Sequence, residues 1–510
     1  MPHPLPQRAD HRPTRFLAVL WVILAASSFS PFWSAPQKEL KQMPGQVPKR
    51  PPYVSGFPIP FHRMVDYRPL QGSVVAADLE KTGHPDLVVS LTTGMITVVR
   101  ADGSTPPGWP RLFDQLPQPA YPYGDAAVGD LDGDGSSEIV TCVVSGNVPR
   151  RNFLYAFRAD GSDLPGWPVE MKAPGPGYYS CSAAGVLLAD LNGDGRKDVV
   201  RGMNLDEVQA FDGSGRPLPG WPVRLPPDAS GRVRGINADL AAADLDGDGR
   251  QEVIFVESGF EPRLVAVAPD GHPMPGFPRV LPSIVDQQAP CAADLDGDGR
   301  PELIQATLPY SGAFLASGSK QKLVAGAAPP LVPASLNVLR ADGSSPPGWP
   351  RNLNSGGPWG SLLADIDGDG LPEILQQDGD LLYAYNSGDA VLPGFPLTVH
   401  RQLLRADAMQ FSPWVASDLD GDGRVDLLQG RSVLYAGSVW LRLFGIRTNG
   451  QSLRGFPFDL PGMMAASKPV LADLSNDGVV DLVMLTSDAT NAGYFLMAFD
   501  LGALARGPVY

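Results

Sequence analysis

"AADLDGDGRPELI", Ala292 to Ile304, sets Asp294, Asp296, Asp298 and Glu302 around two glycines, with short apolar runs on either side. Its pattern, D-x-D-x-D-G-x-x-[D/E] or an eroded form of it, begins again at Asp78, Asp130, Asp190, Asp244, Asp365, Asp418 and Asp473. The intervals run from 50 to 71 residues, which is the period of a repeated supersecondary unit rather than of a whole domain. A second motif interleaves with the first: "PGWP" or a near variant, with its aromatic residue at Phe57, Trp109, Trp167, Trp221, Phe277, Trp349, Phe395 and Phe456. Eight of each define eight units.

Each unit reads as four short strands. A small-apolar run such as "VLLAD" precedes the acidic loop and an apolar run such as "EIVTCVV" follows it. Next comes a stretch such as "LYAFRADGS", whose Asp-Gly marks a tight turn. The Pro-Gly-aromatic-Pro segment then suits an edge strand, where proline need not donate to a neighbour. Helical periodicity is essentially absent. Four strands per repeat around a ring predict an all-β fold, an eight-bladed β-propeller, with a seven-bladed ring as the alternative. The chain ends support eight. It opens on fourth-strand material, Ser55 to Phe61, and ends on third-strand material, Tyr494 to Gly502. The first piece therefore completes the last blade and covers two open sheet edges.

The acidic loops carry the chemistry. Acids at positions 1, 3, 5 and 9 converge oxygen ligands, while glycine at 6 permits a sharp turn. An all-oxygen set without His or Cys selects calcium over zinc or copper, and magnesium prefers a tighter octahedron with its waters kept. An EF-hand is excluded, because position 12 is Gln305 in the fifth loop and Gln429 in the seventh, and the flanks read as strands. Five loops hold all four acids: Asp130, Asp132, Asp134 and Glu138; Asp244, Asp246, Asp248 and Glu252; Asp294, Asp296, Asp298 and Glu302; Asp365, Asp367, Asp369 and Glu373; Asp418, Asp420, Asp422 and Asp426. The third has Asn192 beside Asp190, Asp194 and Asp198, and the eighth has Ser475 beside Asp473, Asp477 and Asp481. The first, with Asp78, Glu80, Thr82 and Asp86 and with Lys81 and His84 inside it, is the most eroded. About seven calcium sites are expected. Solvated acidic turns are the plain alternative, and regular spacing argues against it. About half of the 55 acids lie in these loops, so a loop without a cation would crowd like charges together.

These loops, their spacing and the strand pattern resemble the FG-GAP and VCBS repeats of integrin α-chain heads and of many exported bacterial proteins. The resemblance covers about residues 53–505. It implies a calcium-binding propeller and says little about the ligand. The Phe-Gly and Gly-Ala-Pro signatures of the integrin version are not clear here, "PGWP" standing in their place, so integrin-like ligand recognition is not implied.

A net charge of −15 argues against nucleic acid as a partner. At the N-terminus, Arg8, Arg12 and Arg15 precede the apolar run Phe16 to Ala26 and a serine-rich flank. This fits a signal peptide over residues 1–35, with retention as a membrane anchor the alternative, and places the protein outside the cell or in the periplasm. Residues 36–54 read as a proline-rich linker and 55–510 as the propeller, expected to be monomeric. The three cysteines, Cys142, Cys181 and Cys291, leave at least one thiol unpaired, and buried apolar thiols are the simpler reading.

In a four-stranded blade the 1→2 and 3→4 loops share one face, so the acidic loops occupy it. Ligand recognition is expected on the other face, whose connections vary most. Tyr121, Tyr123, Tyr178, Tyr179, Arg232, Arg234, Trp359 and Trp414 lie in those connections, and aromatics beside arginine suit a glycan or a protein partner. Packing between blades is the competing reading for them. No catalytic residues are identified: the six histidines are scattered, and no G-x-S-x-G, phosphate loop or CxxC occurs. His62, Arg63 and Arg68 form the single cluster that a lyase would use. The sequence thus points to an exported binding or adhesion module. A polysaccharide-active enzyme and a purely structural surface protein are the alternatives.

Overall fold

The structure, a computed structural model, describes residues 52–62, 72–113, 120–145, 151–171, 184–203, 207–227, 235–236, 238–258, 261–285, 289–311, 331–354, 360–399, 407–435, 438–488 and 493–506. Among the described residues eight antiparallel sheets of four or five strands form the blades, and a ninth, two-stranded sheet pairs Tyr310–Ser311 with Leu331–Val332 between the second and third strands of blade 5. In blade 2 the four main strands are Ala127–Gly129, Glu138–Ser145, Asn152–Phe157 and Val169–Met171. Blades 2, 7 and 8 each carry an additional piece at the same edge as the first strand, such as Ala120–Pro122, pairing with the second strand.

The first strands are Gly72–Ala77, Ala127–Gly129, Leu187–Ala189, Ala241–Ala243, Cys291–Ala293, Leu362–Ala364, Val415–Ser417 and Val470–Ala472. Each neighbours the first strand of the next blade, and the last neighbours the first, so they form a closed inner ring. Their composition follows from that position: eight strands crowd round one axis, and Ala, Gly and Ser leave room for the approach. Second strands are buried on both sides. Asp86–Leu91 and Glu138–Ser145 are buried at every residue, which is why they read as apolar runs without alternation. Fourth strands are short, two to four residues, as their prolines require.

The ring closes in blade 8. Ile59–His62 pairs antiparallel with Gly493–Phe499, Ile59 opposite Leu496 and Phe61 opposite Tyr494. Contact starts slightly before the expected boundary, since the Val54 N–H donates to Ala498 at 3.0 Å and the Asp500 N–H to Pro52 at 2.7 Å. The last residues depart from expectation. Leu501–Arg506 forms a helix, α1, with Asp500 capping it through the Ala503 N–H at 2.5 Å.

The hydrophobic core is distributed. Eight clusters of buried side chains each span two neighbouring blades; one joins Val200 and Val208 of blade 3 to Val253 and Phe255 of blade 4, and another joins Val483 and Leu485 of blade 8 to Leu87 and Val89 of blade 1. The Pro-Gly-aromatic-Pro motif is the staple of these joints. Trp109, Trp167, Trp221 and Trp349 donate their indole N–H to Ala159, Gly213, Pro269 and Ser387 of the following blade, at 2.7, 3.0, 2.9 and 3.2 Å. The preceding glycine is obligatory for two reasons. At Gly220 φ is +86°, and a Cβ would come within 1.8 Å of the Asp270 carbonyl oxygen in blade 4. All eight aromatic–proline bonds are cis.

Cys142 is disulfide-bonded and Cys291 carries a free thiol. The buried-thiol expectation therefore fails for Cys142, whose covalent partner no local pattern marks. Burial raises the pKa of the Cys291 thiol to about 11. Among the described residues no helix is long and apolar enough to cross a membrane. The expected leader segment, residues 1–35, lies outside the described residues, as does most of the 36–54 linker.

Candidate metal centres

Every acidic loop joins the first strand of its blade to the second, as the repeat predicts. Position 9 opens the second strand and lies opposite the last residue of the first: Glu252 faces Ala243 and Glu302 faces Ala293. The hydrogen bonding repeats from blade to blade. In blade 4, the Gly247 and Gly249 N–H groups donate to the two oxygens of Asp244 at 2.7 and 2.9 Å. The Asp248 N–H donates to Asp246 at 3.1 Å and the Arg250 N–H to Asp248 at 2.8 Å. The Leu245 N–H donates to Glu252 Oε2 at 2.7 Å. That last bond, from position 2 to position 9, recurs in all eight loops, ending on Asp86, Glu138, Asp198, Glu252, Glu302, Glu373, Asp426 and Asp481.

The turn wraps its backbone donors around carboxylates and thereby stacks those carboxylates together. Among the described residues, five groups place a ligand oxygen from each of three acids within 4.8 Å of one another. They are Asp130, Asp132 and Glu138; Asp244, Asp246 and Asp248; Asp294, Asp296 and Glu302; Asp365, Asp367 and Glu373; Asp418, Asp420 and Asp426. These are the five loops that hold all four acids. The loops of blades 1, 3 and 8 form no such group.

The position-9 acids are all buried, from 0% exposed at Glu252 and Asp481 to 6% at Asp86. Their carboxyls are pushed above the usual carboxylate range, chiefly by burial, with the backbone N–H pulling back and neighbouring acids adding to the rise. Glu252 reaches about 7, and Asp198, Asp426 and Asp481 about 6. Two position-5 acids behave oppositely. The Asp134 and Asp248 carboxyls are lowered, by hydrogen bonds from Ser136 and from the Arg250 side chain and backbone.

Whether these residues suit a hard cation is decided at Glu252. Its Oε1 is buried and has no hydrogen-bond partner, although the residue belongs to a loop with three further acids. A buried carboxylate oxygen without a donor is costly. A divalent cation ligated by carboxylate oxygens removes that cost, so the residues fit one. Asp420 Oδ1 in blade 7 is also buried without a partner, while its Oδ2 pairs with Arg447 at 2.5 Å. In blade 5 the acids Asp296 and Glu302 line a cavity of about 230 Å³ together with Leu295, Val338, Arg340 and Ser387.

On the opposite face the structure brings together charges that sequence reading does not single out. Lys468 Nζ lies 2.8 Å from Asp125 and 2.6 Å from Asp239, joining blade 8 to blades 2 and 4 across the axis. The Gly185 N–H donates to Asp239 at 2.5 Å. The fully buried Arg201 guanidinium donates to the Ala184 and Tyr123 carbonyls nearby. A signal for this cluster existed. Asp125, Asp239 and Lys468 all stand five residues before position 1 of their loops.

Of the residues expected to contact a ligand, Tyr178, Tyr179, Arg232, Arg234 and Trp359 lie outside the described residues, as do Arg63 and Arg68. Tyr121 is 6% exposed and packs with Tyr123 in the core between blades 2 and 3, their rings edge to face at 6.3 Å. Trp414 is half-buried and donates its indole N–H to Gln377 at 3.0 Å. All three serve the joints between blades.

No protein-family model matches the chain, and no curated protein matches it significantly in sequence. Solved structures do match. The biofilm matrix protein Bap1 of V. cholerae is 14% identical, covering 85% of this chain and 88% of its own, with a TM-score of 0.36. The C-terminal domain of Pseudomonas aeruginosa PilY1 is 12% identical, covering 86% and 84%, with a TM-score of 0.35. The quinohemoprotein alcohol dehydrogenase of Comamonas testosteroni is 12% identical, covering 89% and 77%, with a TM-score of 0.48.

Proposed function

We propose that the protein is an exported β-propeller stabilised by calcium in its acidic loops, and that it works as a binding or adhesion module through the face opposite them. The unpartnered, buried Glu252 Oε1 carries the metal half of this reading. Calcium is favoured because the donors are carboxylate and backbone oxygens alone and because the repeats resemble the FG-GAP and VCBS type. Asp130, Asp132 and Glu138 would hold an ion in blade 2, Asp244, Asp246, Asp248 and Glu252 in blade 4, Asp294, Asp296 and Glu302 in blade 5, Asp365, Asp367 and Glu373 in blade 6, and Asp418, Asp420 and Asp426 in blade 7. Bound there, calcium supplies charge neutralisation and ties the first strand to the second; it has no catalytic part.

Export is supported by the basic and apolar N-terminal pattern and by the disulfide at Cys142, a bond that persists in oxidising compartments. Recognition on the opposite face is supported by the axial charges. Lys468 and Asp125 keep 53% and 38% of their side-chain surface open, enough to meet a polar ligand. The ligand class we assign is a glycan or a protein. The test is a glycan array probed with the full chain in calcium and again with chelator, alongside a thermal melt in both. Chelation is expected to lower the melting temperature by several degrees and to weaken any binding. A melt that chelator leaves in place refutes the calcium role, and silence of a folded protein on the array moves the ligand from glycan to protein.

A further inference from the structure

The eight loops divide at position 3, and the division is chemical. An aspartate there can only accept hydrogen bonds, so it leaves the position-9 carboxylate free to face a cation. Asparagine and serine can donate, and in this chain both do. In blade 3, Asn192 Nδ2 donates to Asp198 Oδ1 at 3.2 Å, while the Leu191 and Asn192 N–H groups occupy Oδ2 at 2.9 and 3.3 Å. Asn192 Oδ1 is itself taken by the Asp194 N–H at 2.9 Å, which fixes the amide's orientation. In blade 8, Ser475 Oγ donates to Asp481 Oδ1 at 3.4 Å, and the Leu474 and Ser475 N–H groups occupy Oδ2 at 2.9 and 2.7 Å. Both oxygens of Asp198 and of Asp481 are thus engaged, where Glu252 keeps one without a partner.

Blade 8 also has an arginine on its loop, as blades 2, 4 and 7 do. Arg506, at the end of α1, makes an ion pair with Asp477, the position-5 acid of that loop. The helix is held in place to deliver it. Leu501 is 1% exposed, Asp500 caps the first turn, and Arg454 Nη1 donates to the Ala505 carbonyl at 3.3 Å. Gly502 lies so close to the loop that a Cβ would come within 2.4 Å of Asp477 Oδ2 and 2.8 Å of the Arg506 guanidinium. Blade 8 is also where the first described strand of the chain pairs with the last.

We propose that the protein takes up five calcium ions, not seven: the loops of blades 3 and 8 have exchanged the metal for hydrogen bonds from Asn192 and Ser475 to the position-9 carboxylate. The eroded loop of blade 1 lacks a metal set for a different reason: Thr82 replaces the position-5 acid, and its position-3 acid, Glu80, is held by Arg100 Nη2 at 2.6 Å. The seam between the chain ends then holds without metal, while calcium loads the blades away from it. The inference rests on the calcium reading above and is tested separately from it. Equilibrium dialysis of the full chain against radioactive calcium, at saturation, should give about five ions per chain. Asn192→Asp should raise the count by one, and so should Ser475→Asp combined with Arg506→Ala, with folding of each variant checked by circular dichroism. Six or seven ions in the wild-type protein overturn the proposal, as does a folded Asn192→Asp chain that still takes five. A wild-type count of zero strikes instead at the calcium reading itself.

Discussion

Glu252→Gln separates the two roles a buried loop acid can play. The side chain keeps its shape and can still accept the Leu245 N–H through its amide oxygen, so the turn survives. What changes is charge. Glu252 is 0% exposed and stands in a loop with Asp244, Asp246 and Asp248, so without a cation its carboxylate faces like charges and one of its oxygens lacks a donor. Neutralising it in chelator should leave stability unchanged or raise it by about 1 kcal/mol. With calcium the sign reverses. Extracellular calcium modules have Kd values of about 10⁻⁴ to 10⁻³ M, so one site at about 2 mM calcium contributes about 0.6–1.8 kcal/mol by mass action. Losing it should lower the guanidinium midpoint by a matching amount. The assay is paired denaturation of wild-type and variant chains, in 2 mM calcium and in chelator, followed by tryptophan fluorescence. The expected result is a crossing: the variant weaker with calcium and equal or stronger without. If the variant is weaker by the same margin in both buffers, Glu252 acts only as a structural cap for the Leu245 N–H, and the cation reading of blade 4 fails.

Two further outcomes test the parts of the ring that do not involve metal. Gly220→Ala should destabilise the joint of blades 3 and 4 by at least about 2 kcal/mol, from the left-handed backbone and the Asp270 carbonyl in its way. Trp221→Phe, which removes the indole bond to Pro269 and part of a buried ring, should cost about 2 kcal/mol, and a denaturation midpoint that stays in place would refute the staple. At the axis, burial tends to raise the Asp239 pKa, but the Lys468 ammonium, its hydrogen bond, the Gly185 N–H and the Arg201 guanidinium outweigh it and hold the group below its ordinary value. A folded value below the unfolded one means stability that is present above about pH 4 and fades as pH falls through the lowered value. Lys468→Met should therefore cost stability at pH 7 and progressively less below about pH 4. The ammonium is half exposed, so solvent limits each pair to about 1 kcal/mol or less. A wild-type minus variant difference that stays flat from pH 7 to pH 3 would remove Asp239 from the account.

The acidic loops and the blade count are legible in the sequence because their determinants are local and repeated. An acid at position 9 and the N–H at position 2 are seven residues apart, and the same pair occurs eight times. What escapes is whatever depends on closure. Lys468 meets Asp239 across 229 positions and Asp125 across 343, and no window of sequence contains such a pair. The contact exists because eight first strands bring one register position of every blade to a common axis, so aligning the repeats, instead of scanning the chain, is what recovers it. The packing of Tyr121 and Trp414 depends on closure as well. They lie in connections, where exposure is expected, but in a ring each connection also borders the next blade, and an aromatic side chain there has a neighbour to pack against. Asn192 and Ser475 show a further case, in which the residues are visible and only half of their capacity is. As oxygen-bearing side chains they read as ligands. The structure adds that each also donates to its position-9 carboxylate, and on the proposal above the difference between a site and none turns on that proton, which a ligand pattern does not record.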